Sequence, residues 1–264
     1  MSVRQSSVRR RIAVATWRPS RDGRISTRAA IDAEPMLRYI AEIRASTGET
    51  VTVTSIVGTA LGRVLATVPE ARARVVFGRI RPLPTCDVGF AVDVDGNDLA
   101  PVTIRGIDTM TPVDVARALS TGVQSLRDGH DRSHLTSRRL VRWAPTFVLR
   151  PLLALTGVVA GGLGIGVFGQ PGFPLGGAFV SNVGTLGLTE AVLAPVPFAR
   201  VPLYVAIGVV HDAVAVVDGI VVARREIVLT ATADHRLIDG VQAGRIATLL
   251  TSLLGQPEGL EVAR

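Results

Sequence analysis

The chain has 264 residues and a formal charge of +7, with 29 basic side chains against 22 acidic ones. This length predicts one domain over residues 1–264, and the single cysteine excludes an internal disulfide. All 29 basic residues are arginine and only 4% of the residues are aromatic, so scattered charge without a platform for stacking bases argues against nucleic-acid binding. The opening MSVRQSSVRRRIAV lacks the apolar core of a signal peptide, so we expect a cytoplasmic protein.

The first half of the chain alternates helical and extended patterns. Helical spacing in AEPMLRYIAEIRAST predicts a first helix, and VTVTSIVGTALGRVLATVPEA predicts a second that follows residues 50–54 and stops at Pro69. CDVGFAVDV alternates as a strand does, DGN is its predicted turn, and LAPVTI predicts the next strand. In TPVDVARALSTGVQSLRDG, Thr111 is the expected helix cap, Pro112 the first helical residue and Gly129 the stop.

The second half predicts strands followed by a last helix. The predicted strands are GAFVSNVG, LYVAIGVV, AVAVVDGIVV and EIVLTATAD, and the helix is VQAGRIATLLTSLL. Mixed strands with helices on one side predict an α/β fold, a two-layer sandwich.

The stretch ATADHRLIDG, residues 231–240, places one imidazole, two carboxylates and a glycine directly after an apolar run. A histidine at the end of a strand is usually a structural residue, so His235 by itself is a weak indication of catalysis. The spacing of His235, Asp239 and Gly240 strengthens the indication of catalysis. It sets a base beside a tight turn in which glycine allows close backbone approach and the carboxylate anchors the loop through a charged partner.

This stretch resembles the A-D-H-R-x-x-D-G signature of dihydrolipoyl acyltransferases from 2-oxoacid dehydrogenase complexes, in the chloramphenicol-acetyltransferase-like superfamily. GGAFVSNVGTLGL is similar to the T-I-S-N-x-G motif of that family, and the resemblance runs from about Arg9 to Leu254. It implies the chloramphenicol-acetyltransferase-like sandwich, with a mixed sheet and helices on one face. It also implies a homotrimer whose active sites lie between subunits.

The resemblance implies direct acyl transfer from a coenzyme A thioester, with no tightly bound cofactor and no metal. His235 would take the proton of the acceptor and return it to the departing thiolate. Ser181 would hydrogen-bond the tetrahedral oxyanion. Asp239 would fix the loop by pairing with an arginine of the N-terminal segment, so these three residues are the predicted catalytic set.

Two of these assignments have alternatives. Ser181 is also suited to a turn with Asn182 and Gly184. The arginines proposed as partners of Asp239 are equally suited to a solvated basic run; they are Arg9, Arg10 and Arg11.

The sequence departs from the dehydrogenase components of this family. It has no lysine to lipoylate, and no lipoyl or subunit-binding domain is predicted. Its final EGLEVAR is charged where cube-forming relatives place an apolar knob. An apolar insertion occupies about residues 140–175, within RRLVRWAPTFVLRPLLALTGVVAGGLGIGVFGQPGFPL.

Residues 151–168 of this insertion are uncharged and contain two G-x-x-x-G spacings, which makes a membrane helix a rival interpretation. We expect no transmembrane segment, because one crossing would put two halves of a shared core on opposite sides of a bilayer. A wall of the acceptor channel and a trimer contact both remain open.

These observations predict a stand-alone O-acyltransferase that uses acetyl-CoA or another acyl-CoA as co-substrate and modifies a small-molecule hydroxyl with an apolar portion. It resembles the free-standing acetyltransferases of tetronate and spirotetronate antibiotic pathways, which acetylate a primary alcohol of a polyketide. The alternatives are a component of a 2-oxoacid dehydrogenase complex and a non-catalytic trimeric scaffold.

Overall fold

The computed structural model describes residues 23–93, 99–128, 146–167, 171–196 and 198–261, with residues 146–150 as backbone only. The strands are β1 (Arg24–Asp32), β2 (Ala73–Val76), β3 (Arg79–Pro82), β4 (Val88–Asp93), β5 (Leu99–Ile104), β6 (Ala178–Asn182), β7 (Leu203–Ile207), β8 (His211–Val217) and β9 (Ile220–Asp234). The helices are α1 (Glu34–Thr47), α2 (Val53–Thr67), α3 (Pro112–Arg127), α4 (Thr146–Val158) and α5 (Gly240–Gly255).

Within these ranges, a seven-stranded mixed sheet forms in the order β1-β9-β7-β6-β4-β5, and β8 pairs with the first half of β9. Strands β4, β6 and β7 run parallel to one another, whereas β9 is antiparallel to both of its neighbours β1 and β7. Strands β2 and β3 form a separate hairpin.

One face of the sheet is covered by helices. Helix α2 is apolar and nearly all buried, and it begins with a capping box in which Thr52 and Ser55 exchange hydrogen bonds. It packs against α3, α5 and the strands β4 and β6. The sheet side chains on this face, such as Val180, Val205 and Leu229, belong to the same hydrophobic cluster as the helices. The predicted α/β two-layer sandwich with helices on one face is therefore confirmed.

Loops cover part of the opposite face, which we call the open face. Because successive strand residues alternate between faces, Phe179 and Tyr204 point away from the helices. Their rings lie 5.7 Å apart and pack with Leu175, Ala199 and Val201 in a second, smaller cluster.

Most predicted elements occur where the sequence placed them, with two differences. Strand β1 was not predicted, and AVAVVDGIVV is not one strand, because Asp218 and Gly219 adopt positive φ and turn the chain between β8 and β9. The confirmed cap Thr111 accepts a hydrogen bond from the Asp114 backbone N–H. The predicted DGN turn and Gly129 lie outside the described residues.

The apolar segment contains helix α4, which includes Pro151 and continues into a wider turn at Val159–Leu163. Within the described residues, no helix combines the length and the hydropathy that a membrane crossing requires.

Candidate active site

His235 lies in a tight turn directly after β9. Its backbone N–H donates to the Gly23 carbonyl at 2.6 Å, which ties the turn to the chain entering β1. Its ring Nδ1 lies 2.9 Å from the Ile238 carbonyl oxygen. Because a carbonyl can only accept, Nδ1 carries the proton of the neutral imidazole, and the ring lone pair lies on Nε2. The half-buried ring is therefore oriented as a base.

The residues on either side of His235 lock the turn. The Arg236 guanidinium Nε lies 2.9 and 3.1 Å from the two carboxylate oxygens of Asp234, and the Arg236 backbone N–H donates to the same carboxylate at 3.0 Å. Arg236 is only 8% exposed. The Asp234 carbonyl accepts from the N–H groups of Leu237 and Ile238. The D-H-R part of the motif is thus a hydrogen-bonded frame around the imidazole.

Asp239 closes the turn by capping α5. One carboxylate oxygen accepts from the Val241 backbone N–H at 3.0 Å, and the Asp239 N–H donates to the Gln242 side chain at 3.1 Å. This cap fixes where the turn ends and the helix begins. The predicted partners of Asp239 in the N-terminal segment lie outside the described residues, so that pairing stays a prediction.

Ser181 is the fourth residue of β6 and is half-buried. It lies in register with Ala206 of β7, and strand alternation places it on the open face with Phe179. Among the described residues, its hydroxyl has no hydrogen-bond partner. The neighbouring Asn182 instead donates to the Thr54 hydroxyl at 2.9 Å, which ties the end of β6 to α2. Ser181 is therefore a strand residue rather than part of the following turn.

One chain does not bring Ser181 and His235 together. Ser181 is in register with Ala206, and Ala206 is in register with Thr230 of β9. His235 follows Thr230 by five residues, so the offset is about 17 Å along the strand and about 10 Å across two strands, roughly 20 Å in all. A hydrogen-bond network joining the two residues would need a second copy of the chain.

A cleft opens beside the His235 turn. It is lined by Arg24, Arg200, Asp234 and Arg236, together with apolar residues that include Val75 and Val201. Arg24 and Asp234 are register partners on the open face, the face that also carries Ser181.

The apolar segment packs against the loop that carries Arg200. A Cβ atom at Gly157 would lie 3.1 Å from the Phe198 Cα, and one at Gly161 would collide with the Phe198 carbonyl oxygen. A Cβ at Gly162 would lie 3.5 Å from the Arg200 guanidinium. The first G-x-x-x-G spacing thus permits close approach within one chain, as glycine does wherever two backbones touch.

Sequence reasoning missed the parts played by Asp234, Arg236 and Arg200. The alternation of acidic and basic residues around His235 could have indicated the first two, since an aspartate two residues before an arginine can form a local pair. No local pattern indicates Arg200, because its neighbours in space come from β2, the apolar segment and the His235 turn.

A comparison with family models matches residues 2–136 and 175–262 to the acyltransferase (catalytic domain) of 2-oxoacid dehydrogenases. The two matched ranges leave residues 137–174 between them. No curated protein matches the sequence.

Solved structures share the fold. A probable dihydrolipoamide acetyltransferase from Listeria monocytogenes superposes with a TM-score of 0.66 at 14% identity, over 96% of this chain and 94% of that one. The dihydrolipoamide acetyltransferase of Azotobacter vinelandii, studied for the role of a serine, a histidine and an asparagine in its catalytic mechanism, gives 0.66 at 17% identity over 90% and 83%. A chloramphenicol acetyltransferase gives 0.50 at 12% identity over 94% and 96%. At these identities the likeness establishes the fold.

Proposed function

The chain belongs to the 2-oxoacid dehydrogenase acyltransferase (catalytic domain) family, and from that premise we propose that it is a stand-alone, acyl-CoA-dependent O-acyltransferase. The acyl donor is acetyl-CoA or a related thioester, and the acceptor is a hydroxyl on a small molecule with an apolar portion. A tetronate primary alcohol from a polyketide pathway fits that description.

The observation that carries this proposal is the orientation of the His235 ring. Its Nδ1 donates to the Ile238 carbonyl, so the lone pair that can accept a proton lies on Nε2. Since the turn is locked on both sides of the ring, the base is pre-positioned before any substrate arrives.

The proposed reaction is a direct transfer. Nε2 of His235 removes the hydroxyl proton as the acceptor oxygen attacks the thioester carbonyl carbon. The tetrahedral oxyanion is stabilised by the Ser181 hydroxyl, which contributes about 3–4 kcal/mol in comparable sites. As the carbon–sulfur bond breaks, the imidazolium returns the proton to the thiolate. The products are the ester and free coenzyme A.

The site is completed by a second copy of the chain, because one chain leaves Ser181 and His235 roughly 20 Å apart. Self-association is supported by the apolar hairpin of β8 and β9. Its exposed side chains include Val214 (77% exposed), Val216, Ile220 and Val221. A surface of this kind is usually buried in an interface. We propose a homotrimer, as the family resemblance implies.

The interface can be tested by mixing two inactive variants. If each site takes His235 from one chain and Ser181 from another, co-expressed His235→Ala and Ser181→Ala chains should form about a quarter of their sites with both residues intact. Activity should exceed that of either variant assembled alone. Activity equal to the average of the two would exclude a shared site, as would a monomer in light scattering.

The chemistry is tested by supplying the purified protein with acetyl-CoA and longer thioesters and measuring thiol release with a panel of acceptors. The panel contains a hydroxymethyl tetronate, simple primary alcohols and free dihydrolipoamide. Ester formation on the tetronate, identified by mass spectrometry and lost in His235→Ala, is the expected result. Thiol release from no thioester with any acceptor would instead support the non-catalytic scaffold.

A second candidate function is acyl transfer to dihydrolipoamide within a 2-oxoacid dehydrogenase complex. The family match favours it, and so does a truncated catalytic core of a 2-oxoacid dehydrogenase complex from Thermoplasma acidophilum, which superposes over 97% of this chain with a TM-score of 0.63. The same panel separates the two functions. Faster transfer to the dithiol than to every hydroxyl would establish the second candidate.

A further inference from the structure

The cleft beside the His235 turn carries more positive than negative charge. Three of its lining side chains are arginines, and its one carboxylate, Asp234, is already held by Arg236 at two oxygens. Within the described residues, neither Arg24 nor Arg200 has a carboxylate partner. The charge around the cleft is therefore unbalanced in favour of an incoming anion.

Arg200 is the more buried of the two arginines that lack a carboxylate partner in the described part of the chain. It is half-buried, and its only hydrogen bond within the described chain is from Nη1 to the Val75 carbonyl at 2.8 Å. A guanidinium has five N–H donors in a planar fork, so most of its donors remain available. Burial, together with the nearby charge of Arg236, lowers the pKa of Arg200. Both effects indicate a cation placed where water and carboxylates do not offset its charge.

A second cation lies behind the cleft wall. Arg74 precedes Val75, which lines the cleft, and its Nε donates to the Gly162 carbonyl at 2.6 Å. Arg74 is 7% exposed, and its Nη1 is buried without a hydrogen-bond partner in the described part of the chain. Burial and the charge of Arg200 lower the pKa of Arg74 to about 10. The Arg74 guanidinium lies 3.6 Å from the centroid of the Phe173 ring, which offsets part of its charge. An anion in the cleft would offset the remaining repulsion between Arg74 and Arg200.

An apolar surface adjoins Arg200. Gly162 packs against Arg200, and its chain neighbours Leu163 and Ile165 are 45% and 56% exposed. A molecule that reached Arg200 with a charged group would therefore have apolar side chains beside it on which to lay a hydrocarbon portion.

We propose that this cleft binds the acidic group of an amphiphilic acceptor, a carboxylate or an enolate, with Arg200 as the principal ligand and Arg24 and Arg236 at its rim. This proposal rests on the proposed acyltransferase function and names the class of its acceptor. Bidentate pairing with a guanidinium suits a delocalised oxyanion, and the enolate of a tetronic acid is one. The phosphates of coenzyme A share this chemistry, so the test must separate the two sources.

The test compares an acyl-bearing hydroxymethyl tetronate with its neutral enol methyl ether, using calorimetric binding to the purified protein. Wild type should bind the anion at least about tenfold more tightly than the ether. Arg200→Gln should abolish that preference, and Arg200→Lys should keep part of it. Arg44→Gln removes the same charge from an exposed position on α1, away from the cleft, and should keep all of it. Melting temperatures show whether each variant is folded.

Kinetics then identify the source of the anion. In Arg200→Gln the KM for the tetronate should rise about tenfold or more, whereas the KM for acetyl-CoA should not change. If the KM rose only for acetyl-CoA, and did not rise when acetyl-dephospho-CoA was the donor, the proposal would be overturned and the cleft would be assigned to the donor phosphate. Equal binding of anion and ether by wild type would also overturn it. Neither result bears on the proposed role of His235. Arg200-dependent binding of the tetronate without its acetylation would support the anion-binding cleft and contradict the proposed acyl transfer.

Discussion

The His235 turn, residues 234–240, lines the cleft, and the apolar segment, residues 146–167, packs against the Phe198–Arg200 loop beside it, but the two are held by different forces. The turn is fixed by directional hydrogen bonds in which Arg236 donates and Asp234, Ile238 and Asp239 accept. The segment is fixed by shape, because its glycines let its backbone touch the Phe198–Arg200 loop. Chemistry that depends on one nitrogen needs the first kind of support. A wall that accommodates an apolar molecule needs only the second.

The largest expected effect comes from removing the base itself. His235→Ala should lower turnover about 10²–10⁴-fold, because it removes the group proposed to take the acceptor proton. Coenzyme A binding, measured by calorimetry, should be largely kept. Near-normal turnover in His235→Ala, with coenzyme A still bound, would exclude His235 as the base.

The frame of the turn should respond next most strongly. Asp234→Ala removes the carboxylate that holds the buried Arg236 and should cost about 2–3 kcal/mol of unfolding free energy, the low end for a buried pair because Asp234 is one-fifth exposed. Denaturant titration measures the loss. The matched control is Glu34→Ala, which breaks the exposed Arg225–Glu34 pair and should cost much less. Equal losses would mean that the frame contributes no more than a surface ion pair.

The glycine contacts of the apolar segment predict that replacing glycine with alanine lowers stability there but raises it at an uncrowded helical position. Gly161→Ala forces a methyl group against the Phe198 carbonyl oxygen and should destabilise the protein by about 1–3 kcal/mol. Gly244→Ala, in helix α5 with no atom near the new methyl group, should stabilise it by about 0.5–1 kcal/mol. If both changes have the same sign in thermal melts, the segment does not pack on the loop as described.

The smallest expected effect concerns the apolar segment, and it distinguishes a wall of the acceptor channel from a contact between subunits. A charged residue at Leu152 or Leu155 should raise the acceptor KM, and for Leu155→Asp, at a site 54% exposed, we expect about tenfold with the donor KM unchanged. The control is Leu99→Asp, which introduces the same charge at an exposed leucine on the edge strand β5. A shift in oligomeric state at constant KM would favour the trimer contact instead.

The parts of the fold that follow local rules could be predicted from the sequence. Helix α3 begins at the expected Thr111 cap, and β6 and α5 fall where their patterns placed them. Strand β1 could not be predicted, because it carries polar residues such as Arg24, Ser26 and Arg28, and only its pairing with β9 makes it a strand.

The candidate site divides in the same way. His235, Asp239 and Ser181 were predicted through short motifs, and apart from the hydrogen bond of His235 to Gly23 the first two are held by contacts between residues at most four apart. The surroundings of Arg200 are assembled from distant segments, and its positive φ of 55° sits in a loop without a recognisable turn signal. Long-range packing of this kind leaves no periodic trace in the sequence.

The pairing of β1 with the end of β9 has a consequence for how the protein is made. Arg24 is matched with Asp234, so β1 emerges from the ribosome about 200 residues before its partner strand. At ordinary translation rates of about 5–20 residues per second, that interval lasts roughly 10–40 s. During this time the first strand lacks its partner strand, and the His235 turn, which docks on Gly23, forms only after β9 has been made. A nascent chain that ends before β9 therefore lacks the proposed base.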